Sequence, residues 1–198
     1  MSIVIKKSIA KVFLILSILH CLGIIMQFVI LQKELPFPEV YTAIGYFNIF
    51  SNLSVWAFIL IVLKQFKQKT WVYIIYVIYL LQLLLFPFLT DRFSGLTAAY
   101  TLGPISFVTS VVMILANFKV KAGELSDLFK VLAISLIVSI FIPVVIPVAA
   151  IYFNISPTNL SNFSNASHLF PAITLSFLLS KLLNINEKEP AELPEESY

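Results

Sequence analysis

The 198-residue chain is short of charge: 12% of its residues are Asp, Glu, Lys or Arg, against about 25% in an ordinary soluble domain. An independently soluble globular domain is therefore excluded. The single cysteine, Cys21, rules out an internal disulfide framework and reads as a small apolar packing residue. No phosphate-binding glycine loop is present, and no Cys/His cluster with metal-ligand spacing, so neither a cofactor nor a metal is expected. No acid falls inside a long apolar run, which counts against an ion-driven carrier. No internal repeat supports an inverted-repeat transporter, and segments of about ten alternating residues, the mark of a membrane β-barrel, are missing too.

Apolar sequence is what the chain has in abundance, at 60% of residues. It comes in runs over 9–31, 43–63, 71–90, 98–118, 129–153 and 166–183, each near the ~20 residues a helix needs to cross a bilayer. The expected fold is all-α, a polytopic bundle of six transmembrane helices over 1–183, followed by an acidic, unfolded cytoplasmic tail over 184–198. The first run is too long for a secretory signal and is not followed by a cleavage site. With a cytoplasmic amino terminus, Lys6, Lys7, Lys11, Lys64, Lys67, Lys69, Lys119, Lys121, Lys130, Lys181 and Lys188 lie inside, and only Lys33 and Arg92 outside. That bias places both termini in the cytoplasm of, most simply, a bacterial cell membrane. The net charge of +3 reflects this orientation and gives no nucleic-acid signal.

Polar residues inside the runs carry the functional question, since an unpartnered amide or hydroxyl in hydrocarbon costs roughly 2–7 kcal/mol. Ser17, His20 and Gln27 share one face of the first helix by spacing. His20 is either a neutral histidine bonded to a neighbouring helix or a functional group. Gly45, Asn48 and Asn52 form a stripe on the second helix with Ser51 beside it, read either as packing glue or as a site. Gln82 lies at the depth of His20 and Asn52, which suggests one shared hydrogen-bonded layer. Trp71, Tyr73 and Tyr76 read as an interfacial aromatic belt.

The outer loop holds Pro36-Phe37-Pro38, a stiff connector; Pro87 reads as the outer end of the third helix, and Asp91 and Arg92 as a surface pair. On the fourth helix Gly103, Ser106 and Ser110 line a small-residue face, and Pro104 is expected to kink it. Ser135, Ser139, Pro143 and Pro147 recur every four residues on the fifth. Its prolines free carbonyls that hydroxyls or water must satisfy, so the helix is either simply bent or a hinge and cavity wall. The loop 154–165 carries Asn-x-Ser triplets, glycan acceptors in a secretory pathway and a plain polar loop in a bacterium. His168 opens the sixth helix, as a loop-bonded histidine or as a ligand or catalytic group.

At ~1.5 Å per residue, Asn48 and Ser51 lie roughly 8–12 Å, and Tyr100, Thr101 and His168 roughly 3–5 Å, below the outer ends of their helices. All could surround one outward-facing pocket. A hydroxyl nucleophile there needs a base within about 2.6–3.2 Å.

Tyr46-Phe47-Asn48-Ile49-Phe50-Ser51-Asn52-Leu53 resembles the Tyr-Phe-Thr-x-x-Ser-Asn-Leu pattern of bacterial six-span relatives of the androgen-induced membrane protein family. Animal members are intramembrane threonine hydrolases of fatty acid esters of hydroxy fatty acids. The resemblance implies the six-helix layout and a lipid-facing pocket. It also aligns Asn48 with the nucleophilic threonine and Tyr100 with the catalytic histidine, so the family's dyad is not retained. The expectation is a non-catalytic relative that binds a membrane lipid or amphiphile through Asn48, Asn52, Tyr100, Thr101, His20 and Gln82, alone or with a membrane-protein partner. The alternatives are a lipid-ester hydrolase with Ser51 as nucleophile and His168 as displaced base, and a small-solute transporter or its membrane subunit.

Overall fold

The computed structural model describes the backbone of residues 5–33, 35–92, 95–153 and 166–188. The loop at 154–165 and the last ten residues of the acidic tail lie outside the described residues, as do the side chains of Asp91, Arg92 and Pro147. Among the described residues the chain is all-helical, with α1 at Lys7–Gln32, α2 at Pro38–Gln65, α3 at Thr70–Arg92, α4 at Gly95–Lys119, α5 at Ser126–Phe153 and α6 at Leu169–Lys188. A short 3-10 turn, Gly123–Leu125, leads into α5.

Five of these helices are long and apolar enough to cross a membrane, and the apolar part of α6, Leu169–Ile185, is shorter. Their outer surfaces agree with that composition. Along α1 alone Val12, Ile15, Ile18, Leu22, Met26 and Val29 are exposed, a surface that water would not tolerate on a monomer.

Each helix packs on its neighbours in the chain, and α6 returns to pack on α1. Six helices thus close into a ring in sequence order. Connections of a few residues force α1 to α5 to run antiparallel in turn, and Lys181 on α6 meets Glu124 beside the α4–α5 connection, so the lysines at the start of α1, around the α2–α3 and α4–α5 connections and at Lys181 gather at one end. That half of the ring is filled. Val55, Phe58, Ile59, Val62, Met113, Phe129, Leu132, Leu178, Leu179 and Leu182 form a continuous buried core, with Phe13 stacked on Phe58 at 4.2 Å between ring centroids. Polar clasps fasten the same end. Gln68 Nε2 donates to the Lys121 carbonyl at 2.6 Å, the Lys121 amide donates back to Gln68 Oε1 at 2.9 Å, and Lys181 pairs with Glu124 at 3.1 Å.

Several sequence expectations change here. Tyr76 is not a belt residue: it is fully buried, and its hydroxyl donates to Asn117 Oδ1 at 2.8 Å. The Tyr73 hydroxyl accepts from the Gln68 amide and donates to the Leu63 carbonyl, closing the α2–α3 turn. Only Trp71 keeps an exposed ring.

Helix α2 starts at Pro38 rather than near Thr42, because proline at the first helical position gives up no hydrogen bond and already has a helical φ. Pro87 does not end α3, which continues to Arg92, and α4 continues through Pro104. On the small-residue face of α4, Gly103 makes no close helix contact, since a Cβ built there meets nothing within 4 Å, whereas Ser106 is bonded to α3. Helix α6 extends to Lys188, into the stretch read as tail.

Candidate functional site

Opposite the packed end the ring is hollow. A cavity of about 430 Å³ lies on its axis, and all six helices contribute to its wall. His20, Ile24 and Gln27 come from α1; Tyr41, Asn48, Ile49, Asn52 and Trp56 from α2; Tyr79, Gln82 and Leu83 from α3. Ser106 and Ser110 on α4, Ser139 and Ile140 on α5, and Leu175 on α6 complete the circuit, with His168 in the turn ahead of α6. No Asp, Glu, Lys or Arg is among these lining residues. The edges of Trp56 and Tyr79, packed T-shaped at 5.0 Å, separate the hollow from the core.

The most ordered part of the wall joins α1 to α2. Gln27 Nε2 donates to the Tyr41 carbonyl at 3.4 Å, Asn48 Nδ2 donates to Gln27 Oε1 at 2.8 Å, and Asn48 Oδ1 faces His20 Nδ1 at 3.3 Å. Two glycines make room for it. A Cβ at Gly23 would collide with Asn48 Oδ1, and one at Gly45 would stand 3.2 Å from Gln27 Nε2. The α1 face identified by spacing is therefore real, but divided: His20 and Gln27 serve the cavity, while Ser17 is bonded to Ser176 Oγ on α6 at 2.8 Å.

On the far wall Pro143 sets the geometry. It has no N–H to offer the Ser139 carbonyl one turn back, and Ser167 Oγ donates to that carbonyl instead, at 3.2 Å. The bond ties the entry of α6 to α5 and so holds His168, the next residue, at the cavity.

The structure gathers five of the eight residues expected at a site: His20, Asn48, Asn52, Gln82 and His168. It does not gather the other three. Tyr100 is 79% exposed and Thr101 is also on the surface of α4; with α4 running from Gly95, both sit on its outward face. Ser51 is fully buried off the cavity, and among the described residues its Oγ has no hydrogen-bond partner. A Ser51–His168 hydrogen bond is thus not formed. The common polar layer is also split, since Gln82 Nε2 donates to Ser106 Oγ at 2.8 Å and not to His20 or Asn52.

Sequence reasoning missed the contributions of Gly23, Tyr41, Trp56 and Tyr79. Gly23 was within reach, because His20, Gly23 and Gln27 fall at offsets zero, three and seven on one helical face. Among the described residues no three His, Cys, Asp or Glu side chains converge to hold a metal ion. The arrangement can offer neutral hydrogen bonds and apolar contact. No family model, curated protein or solved structure matches the chain.

Proposed function

We propose that this is a six-span protein of a bacterial cell membrane, both termini cytoplasmic, whose cavity binds a lipid or other amphiphile without turning it over. In this reading it is a non-catalytic relative of the androgen-induced family. The cavity carries the proposal: its volume of about 430 Å³ falls within the ~300–1,000 Å³ usual for small-ligand sites. Its wall pairs amides, hydroxyls and imidazoles with Ile24, Ile49, Leu83, Ile140 and Leu175. An amphiphile matches both halves of that wall. The orientation is supported by the lysine bias of the sequence, eleven lysines against Lys33 and Arg92, and in that orientation the cavity opens in the outer leaflet.

The absence of catalysis is supported by Ser51 standing off the cavity and by the amide at position 48. Extraction in a mild detergent followed by native mass spectrometry is expected to show a bound lipid-sized mass, and an active-site fluorophosphonate is expected not to label the protein. Labelling that disappears in Ser51→Ala would replace this reading with the hydrolase. A protein that emerges with no bound mass and takes up none on lipid addition would remove the binding reading.

A further inference from the structure

The hydrogen-bond chain on the α1–α2 wall has a direction, and the direction decides what the cavity offers a ligand. A backbone carbonyl only accepts, so Gln27 must turn its NH2 to Tyr41 and its Oε1 to Asn48. Asn48 then spends its NH2 on Gln27 and is left with Oδ1 toward His20. In a neutral ring, Nδ1 must therefore carry the proton, and Nε2 keeps its lone pair. Nε2 has no partner among the described residues, and its ring lines the cavity.

We propose that His20 Nε2 is a fixed acceptor for a ligand hydroxyl, and that the ligand is an uncharged, hydroxyl-bearing amphiphile such as a monoacylglycerol or long-chain alcohol. This rests on the amphiphile-binding reading and narrows it. The uncharged character follows from the lining, which has no acid, lysine or arginine to pair a buried charge. The hydroxyl follows from the lone pair, because an unmet acceptor in a low-dielectric wall favours a donor over an ester or ether oxygen. The role of Asn48 is positioning: it sets the ring's tautomer and touches the ligand's partner rather than replacing it.

The full-length protein in nanodiscs, titrated with monooleoylglycerol, its di-O-methyl ether and oleate, tests this. Monooleoylglycerol is expected to bind about fivefold or more tightly than the ether, the size of one net hydrogen bond, and oleate at neutral pH more weakly than either. Equal binding of alcohol and ether overturns the hydroxyl assignment while the pocket stands; tightest binding of oleate overturns the uncharged ligand; no binding of any of the three removes the underlying reading.

His20→Asn places an amide NH2 near the Nδ1 position, and so can keep the bond to Asn48 while deleting the acceptor. It should abolish the alcohol-over-ether preference without lowering the unfolding temperature much. The 15N signals of the His20 imidazole, assigned as those lost in His20→Asn, supply a readout that does not depend on any ligand: in wild type His20 is expected to show only the Nδ1–H tautomer, and in Asn48→Leu a mixture. An Nε2–H ring at His20 in the wild type sinks the proposal.

Discussion

Gly23 and Asn48 show how little space the polar wall leaves. Any side chain at position 23 must displace the amide oxygen of Asn48, and with it the contact to His20. Gly23→Ala is therefore expected to destabilise the protein by about 1–3 kcal/mol and to release the His20 tautomer. Gly103→Ala is the matched control: its Cβ meets nothing, and the gain in helix propensity is up to about 1 kcal/mol. Thermal unfolding in detergent compares the two, and equal shifts would mean that the Gly23 contact is not tight. Residue spacing reached His20, Gln27, Asn48 and Asn52 because helical periodicity is a property of the chain itself. It misplaced Tyr76, because a tyrosine near a helix end looks the same whether its hydroxyl meets head groups or, as here, the buried amide of Asn117. Only the rotation of α3 in the ring distinguishes them.

Helix α5 carries the clearest local rule. Proline within a membrane helix orphans a carbonyl, and the sequence foretold that a hydroxyl or water would have to answer it. It could not foretell that the hydroxyl would be Ser167, twenty-eight positions away in sequence, because nothing local says which helix lies opposite. Removing that donor should cost about 1 kcal/mol and loosen His168. Pro143→Ala restores the N–H, so in its background Ser167→Ala should cost measurably less. A double-mutant cycle on unfolding free energy reads the difference, and strict additivity would show that the two residues are not coupled. Tyr100 and Thr101 failed as site residues for a related reason: spacing along α4 does not say which way the helix is turned, and both side chains are exposed on its outward face.

For the whole molecule, hydropathy found the helices, and lysine bias is the basis of the proposed orientation. Neither says which helices touch, so the sequential ring and its closure of α6 on α1 were out of reach. The proposed orientation makes a direct prediction. In a Cys21→Ala background, Lys33→Cys should react with a membrane-impermeant maleimide on intact cells, and Lys69→Cys only after permeabilisation. The reverse pattern would put the cavity in the inner leaflet.

Closure of the ring also bears on how the protein is made. The cavity wall draws on α1 and on the turn before α6, the two helices whose contact closes the ring. Until α6 reaches its place, Ser17 and Cys21 on α1 lack their partner Ser176, and the hollow is a cleft open on that side. The last helix is also the one with the shortest apolar stretch, so the least committed segment completes the site. A nascent chain stalled before residue 166 would have every polar group of the α1–α2 wall and no compartment to hold a ligand against it.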